Sequence, residues 1–289
     1  MMPNDKDDQN ACDDLSDEWW ASKAARELNE TPETREMKIT ELRDLIERKG
    51  GLVKCKDDES LLRFLRAKKF NVLKAFNMME RYEVMTKAHP DLFDMSKAVK
   101  KLMILDCQGQ NVLNGRDRSG AVVFLYRVGQ YNIAQNPKDG QVSVDDIFRT
   151  NMLGLEWCLL EHKNQISGAT ALVDMTGFKL ASHASLLSPF YSKRTVQVIQ
   201  DAFPLRFKGI HIVNQPLYFD ALFAVVKPFL KDKIKQRVFL HGTNFKSLHR
   251  FISSDVLPVE YGGKCSPSDN TSWKKRLIDD LPKIMYYHK

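Results

Sequence analysis

The sequence predicts an α/β protein in which a small helical subdomain precedes a mixed, mainly parallel sheet. Up to about residue 90, apolar residues recur at helical spacing and no strand-length apolar run interrupts them. From about residue 110, apolar runs of strand length appear at 121–126, 169–175, 209–213 and 238–240, with helix-length segments between them. Strands alternating with helices imply βαβ crossovers. Runs that are apolar throughout, and not only at every second residue, imply a sheet covered on both faces.

In chain order, residues 1–15 read as a disordered acidic tail. The helical subdomain is expected over 16–95, the α/β domain over 105–265 and a C-terminal tail over 266–289. Ser16, followed by Asp17 and Glu18, caps a first helix carrying Trp19, Trp20, Ala24, Ala25 and Leu28. Pro32, favoured in a first turn, opens a second through Ile39, Leu42, Leu45 and Ile46 to Gly50 and Gly51. Asp57, Asp58 and Glu59 suit the start of a third, in which Leu61, Leu62, Phe64 and Leu65 form an apolar stripe and Arg63 and Arg66 are expected outside. Asn71 caps a fourth through Ala75, Met78, Met79 and Tyr82, ending near Pro90. Further helices are expected at 144–162, 183–202 and 216–230. Asp145 and Asp146 suit the first of these as dipole partners. Asp174 reads as initiating a turn before Thr176 and Gly177, and His211 as a hydrogen-bonded core histidine.

The 216–230 helix is the most informative segment, because it is apolar on nearly every face. Such a helix must bury all of itself or cover something apolar, and it is too short to span a bilayer. Pro228 marks a kink or a break in it, equally readable as a hinge or as a plain helix end. Cations follow directly at Lys231, Lys233, Lys235 and Arg237. The whole chain carries a formal +7, unevenly spread: residues 1–18 sum to −6, whereas eleven lysines and arginines against three acids give 193–250 a net +8. That concentration implies an anionic partner, either phosphate-bearing lipid or nucleic acid. A nucleic-acid surface would interleave aromatics with the cations. Here the aromatics cluster in the apolar helix, and no nucleic-acid partner is expected.

Catalytic and metal signatures do not appear: the chain has no GxSxG, GxGxxG, P-loop or HExxH, and no nucleophile with its base. The five cysteines (Cys12, Cys55, Cys107, Cys158, Cys265) are widely spaced and odd in number, which supports neither a disulfide framework nor a zinc site. The expectation is a non-enzyme without metal or cofactor, in the reducing cytoplasm. Nothing at the start reads as a signal peptide, and no window reaches membrane-span length. Membrane contact is expected to be peripheral and reversible.

The order of the pieces resembles the CRAL-TRIO lipid-binding family, in particular its tocopherol-transfer and retinaldehyde-binding branch. The resemblance runs from about residue 30 to 265. It is carried by DDESLLRFLRAKKFNV (57–72), DAFPLRFKGIHIVNQP (201–216), KPFLKDKIKQRVFLHG (227–242) and LPVEYGG (257–263). It implies a sheet that floors a lipid pocket under a mobile gate helix, matched here by 216–230, with a small tocopherol- or retinoid-like molecule as cargo. It also implies a basic phosphoinositide cleft beside the gate, whose positions here are Arg206, Lys208, Lys233 and Arg237. Lys231, Lys235, Lys193 and Arg194 would widen that patch. Pocket-lining candidates, each equally readable as plain core, are Phe148, Met152, Leu155 and Leu159, Val123 and Leu125, Leu186, Leu187, Phe190 and Tyr191, and the gate residues Phe219, Leu222, Phe223 and Val226. A second reading keeps the phosphoinositide site but makes the protein a trafficking adaptor whose pocket lipid is structural or regulatory.

Overall fold

A computed structural model describes residues 15–50, 53, 56–134, 137–138 and 141–288, with the side chain of Leu187 outside that description. The acidic stretch 1–14, with Cys12, and also Cys55 lie outside the described residues.

The first four helices follow their sequence signals. In α1 (Asp17–Leu28) the Ser16 side chain accepts from the Trp19 N–H, and Asn29 ends the helix in the left-handed region. In α2 (Pro32–Lys49) Thr31 and Thr34 form a reciprocal capping box around Pro32. Asp57 caps α3 (Asp58–Ala67) and Asn71 caps α4 (Val72–Ala88), each accepting from a first-turn N–H. Their inner faces close a core that includes Trp20, Leu28, Leu42, Ile46, Leu61, Leu65, Phe76 and Met79.

Arg63 and Arg66 correct the expectation that they face outward: they are 6% and 1% exposed. Helix α3 is wedged between the helical subdomain and the α/β domain, so it buries two faces. Arg66 donates to both carboxylate oxygens of Glu30, with its Nη2 2.7 Å from Oε1, and its Nη1 donates to Gln165 Oε1 at 2.7 Å. Arg63 lies 3.5 Å from Glu156 and stacks 3.7 Å above the ring of Tyr287. Hydrophobic periodicity finds the apolar stripe but is blind to a second face that buries charge in pairs.

Short helices α5 (Pro90–Phe93) and α6 (Met95–Lys100) and a 3-10 turn (Leu102–Cys107) lead into the sheet. Its strands are β1 (Gln110–Arg116), β2 (Val122–Arg127), β3 (Ala169–Asp174), β4 (Phe207–Val213) and β5 (Val238–Gly242), in the order 1-2-3-4-5. β1 runs antiparallel to β2 and the remaining pairs are parallel. β1 escapes sequence reading because QNVLNGR is mostly polar. It is an edge strand, and Asn270 donates to the Gln110 carbonyl at 2.9 Å.

The crossovers are α7 (Val144–Cys158) with α8 (His162–Ser167), then α9 (Leu180–His183) with α10 (Pro189–Gln197), then α11 (Phe219–Val226) with α12 (Asp232–Lys235). The helix expected over 183–202 is broken. A 3-10 turn occupies Ala184–Leu187, Pro189 restarts the helix, and it ends in a π-turn at Val198–Ala202. The 216–230 segment is α11 followed by a 3-10 turn over Lys227–Phe229, so the prolyl residue ends regular helix where the sequence placed the break.

Pairing register sorts the strand residues. Phe124, Ala171, Ile210 and Val238 are successive partners and share one face, under α7, α10 and α11. Val123, Leu125, Leu172 and Val213 point to the other face, where α13 (Phe245–Leu248) and the 248–261 segment supply Leu248, Ile252, Leu257 and Tyr261. The segment expected as a C-terminal tail is helical: α14 (Thr271–Asp279) and α15 (Leu281–Tyr286) bury Trp273, Leu277 and Ile284 in the main core. Among the described residues no helix is long and apolar enough to cross a membrane.

Candidate functional site: an apolar cover beside a basic cleft

Helix α11 packs through Phe219, Leu222 and Phe223 into a cluster with Val173 of β3, Ile210 and Ile212 of β4 and Val238 of β5. Phe219 is its buried anchor and stacks on Phe223 with ring centroids 6.0 Å apart. Leu222, Phe223 and Val226 are half-buried, and Val225 on the outside is exposed. Strand residues that cluster with α11 are also half-covered: Val173 on β3 and Ile210 on β4, both inner strands, keep accessible surface, as does Val238 on the edge strand β5. Residues of inner strands under a packed helix are ordinarily enclosed to crystal-like density. Apolar surface therefore remains uncovered between the sheet and α11.

The other pocket candidates divide. Phe148 is buried, with the Arg194 guanidinium 5.6 Å from its ring, so it faces α10. Met152 and Leu155 sit in the main core and not in the smaller cluster under α11. Phe190 is 66% exposed and packs edge-on against Tyr191, which places it on the outer rim and not in the lining. Val123 and Leu125 were misassigned: strand alternation turns them to the opposite face, and Phe124 and Tyr126 take the gate side.

The four cleft candidates come together at the start of β4 and the approach to β5. Arg237 is tied to β4 twice, since its carbonyl accepts from the Ile210 N–H at 2.8 Å and its Nη1 donates to the Phe207 carbonyl. Arg206 is mostly buried and donates to the Ile166 carbonyl, and its Nε is buried without a partner. Burial lowers its pKa, with Glu27 opposing and Arg237 adding to the effect. Lys208 pairs with Glu27 of α1 at 2.8 Å. Lys233 is exposed on α12. Burial, then the like charges of Arg237, Lys69 and Arg206, lower its pKa, the signature of cations crowded without enough anions between them.

Lys68 and Lys69, which the sequence reading left out of the site, belong to this cluster. They follow α3 in a turn where Lys69 and Phe70 both have positive φ, 53° and 58°. Two successive non-glycine residues in that region are strained, and buried Phe70 holds them there. Burial lowers the Lys68 pKa, and the charges of Lys231, Arg81 and Lys233 lower it further. The signal was present in the quoted RAKKF, but only the fold brings residue 68 beside residue 233. Of the proposed extensions, Lys235 pairs with Asp232 and Arg194 is buried against Asp145 at 2.7 Å, so neither enlarges the patch, whereas Lys231 pairs with Asp201 and its charge still acts on Lys68.

The remaining conspicuous polar groups are structural. Asp174 accepts from Thr176, Asn214 and the Tyr261 hydroxyl, closing a turn as expected. His211 and His241 share a hydrogen bond at 3.0 Å, and His241 reaches Ser247. The site is therefore one for holding: an apolar surface half-covered by a helix, with clustered cations at its side.

That class agrees with the comparisons. Residues 107–263 match the CRAL/TRIO domain and residues 28–81 the CRAL/TRIO N-terminal domain. The chain is 37% identical over 262 residues to Clavesin-1 of Xenopus laevis, covering 89% of this chain and 76% of the relative. It is 35% identical over 262 residues to Clavesin-2 of Homo sapiens, covering 89% and 77%. The crystal structure of Sfh5 shares the fold, with a TM-score of 0.59 at 15% identity over 89% of this chain and 99% of that one. The protein belongs to the CRAL/TRIO family of lipid-binding transfer proteins.

Proposed function

We propose that the protein carries one small hydrophobic lipid, of the tocopherol or retinoid kind, between the sheet and α11. It exchanges that cargo at membranes carrying phosphoinositide bisphosphates, which the basic cleft reads. The supporting observation is the adjacency of two surfaces: half-covered apolar Ile210 lies two residues beyond Lys208 on β4 and donates its N–H to the Arg237 carbonyl, and half-covered Val238 directly follows Arg237. Burying ~400–600 Å² of ligand at ~25 cal/mol per Å² yields ~10–15 kcal/mol gross, from which ordering costs subtract. Each cation at an anionic surface contributes about 1 kcal/mol, enough for reversible docking and too little for permanent anchoring.

Native mass spectrometry with lipid extraction on protein from its own cells tests the carrier reading. One co-purifying hydrophobic molecule at near-stoichiometric occupancy supports it and names the cargo. A mixture of bulk phospholipids refutes it in favour of an adaptor that reads phosphoinositides.

A further inference from the structure

The cleft contains an anion of its own. Glu27, on the last turn of α1, places Oε2 2.8 Å from Lys208 Nζ and Oε1 2.6 Å from Lys23 Nζ. Its position is not an accident of a loose side chain. α1 is fixed against α8 by buried Trp20, whose ring lies under the Arg116 guanidinium at 5.0 Å and the Lys163 ammonium at 5.8 Å. Burial works to raise the Glu27 pKa, yet the hydrogen bonds and charges of Lys208 and Lys23 hold it at about 2, so the carboxylate stays ionised. The pair nevertheless remains within reach of solvent, at 24% and 22% side-chain exposure. Glu27 also sits one residue before the span that matches the N-terminal family domain.

We propose that Glu27 sets the headgroup selectivity of the cleft: its carboxylate stands where a phosphate would stand at Lys208, so a phosphomonoester displaces it and a singly charged lipid does not. This rests on the reading of the cleft as a phosphoinositide site. A phosphomonoester carries about −1.5 to −2 charges and three strong acceptor oxygens, so replacing one carboxylate at Lys208 gains charge and hydrogen bonds. The phosphodiester of phosphatidylserine offers a single negative charge there. Exchanging it for Glu27 gains nothing and frees a carboxylate that repels the same surface. The neighbouring cations follow the same logic. Arg206 and Arg237 each have a guanidinium N–H committed to a backbone carbonyl, so Lys208, Lys233, Lys68 and Lys69 supply the adaptable charge. Neutralising one of those four raises the charge density a headgroup must bring.

The test is co-sedimentation of the full chain with vesicles of phosphatidylcholine alone, or containing phosphatidylserine, or containing phosphatidylinositol bisphosphate. The proteins are wild type, Glu27→Gln, Glu27→Asp and Lys233→Glu, with circular dichroism and tryptophan emission confirming that α1 stays docked. Removing one negative charge at an anionic surface strengthens phosphatidylserine binding by about fivefold, with little gain on the bisphosphate lipid, so the selectivity of Glu27→Gln falls. Glu27→Asp, which keeps the charge, stays near wild type. An unchanged selectivity ratio in folded Glu27→Gln, while Lys233→Glu still weakens bisphosphate binding, overturns the role of Glu27 and leaves the cleft standing. Equal loss of selectivity in Glu27→Asp and Glu27→Gln also overturns it, because the packing of α1 and not the charge would then be responsible. If wild type shows no bisphosphate preference and Lys233→Glu changes nothing, the headgroup reading itself has failed.

Discussion

Lys233→Glu is the most direct perturbation of the cleft, because Lys233 is exposed and its removal opens no core. It is surrounded by Arg237, Lys69 and Arg206, whose charges act on it, so a carboxylate there meets cations and tolerates the fold. The substitution changes the local charge by two units. At about 1 kcal/mol per charge near an anionic surface, the loss is about 2 kcal/mol, or roughly thirtyfold weaker binding. Co-sedimentation with phosphatidylinositol bisphosphate vesicles at physiological salt measures it. The control is Lys246→Glu, an equally exposed lysine on α13 at the opposite face of the sheet, with the same change in net charge. Raising the salt should shrink the difference between the two variants, since screening acts on exposed charge. Equal losses for Lys233→Glu and Lys246→Glu would refute the reasoning: binding would then follow net charge, and the convergence of Lys68, Lys69, Lys208, Lys233 and Arg237 would have no functional content.

Other consequences follow from buried groups and from the gate. Glu30→Ala leaves the guanidinium of Arg66, 1% exposed, without its main partner. A loss of about 3–5 kcal/mol is expected in urea unfolding, and under 1 kcal/mol would show that the junction admits water freely. Burial, with the charge of His241 adding, pushes the His211 pKa down to about 4 from the usual 6.5. Between those values the unfolded chain binds more protons, so this contribution is complete above about pH 6.5 and is lost as pH falls toward 4. It amounts to about 3 kcal/mol at most, and His211→Gln should flatten the melting-temperature profile in that window, whereas an undiminished slope would assign the effect elsewhere. Phe223→Asp puts a charge on the covered side of α11 beside Phe219. Co-purified lipid should be lost while circular dichroism is retained, and unchanged occupancy would separate the pocket from this helix.

What the sequence discloses here is whatever depends on neighbours in the chain. Ser16, Thr31, Asp57, Asn71 and Ser143 cap their helices through bonds spanning three residues, and four of the five strands announce themselves as apolar runs. β1 does not, because its buried Gln110 and Asn111 are polar, and Asn111 is satisfied by Ser268 and the Asp269 carbonyl, far along the chain. Arg63 and Arg66 face inward for a related reason: their partners lie far along the chain, Gln165 being 99 residues beyond Arg66. The pocket assignment failed at Val123 and Leu125 because a run that is apolar throughout conceals which residues alternate to which side. Only the pairing of Phe124 with Ala171, and of Ala171 with Ile210, settles it. In the cleft, Arg206, Lys208, Lys233 and Arg237 were legible through resemblance. Lys68, Lys69 and Glu27 were not, because Lys208 and Glu27 are 181 residues apart.

The apolar cover and the basic cleft share strand β4. β4 carries Lys208 at its entry and Ile210 and Ile212 under α11. Beyond α11 the chain is pinned before it reaches the cations. Leu230 is buried, the Gln200 side chain donates to the Phe229 carbonyl at 3.1 Å, and it accepts from the Lys231 N–H at 2.7 Å. Gln200 belongs to the π-turn after α10, a geometry that recurs at functional sites. On the proposed opening of α11, Lys233 and Arg237 would stay with the sheet, and the moving segment would be bounded by Asn214, itself at positive φ and bonded to Asp174, and by the 3-10 turn at Lys227–Phe229. In the proposed function, a headgroup held by Lys208, Lys233 and Arg237 would not pull on the cover. It would fix the sheet against the membrane and leave the cover, whose outer face shows Leu217, Tyr218 and Val225 to solvent, free to exchange water for bilayer. On this geometry docking and opening are separable: loss of the cleft should slow cargo transfer without changing how tightly cargo is held in solution, and loss of the covering aromatic should do the reverse.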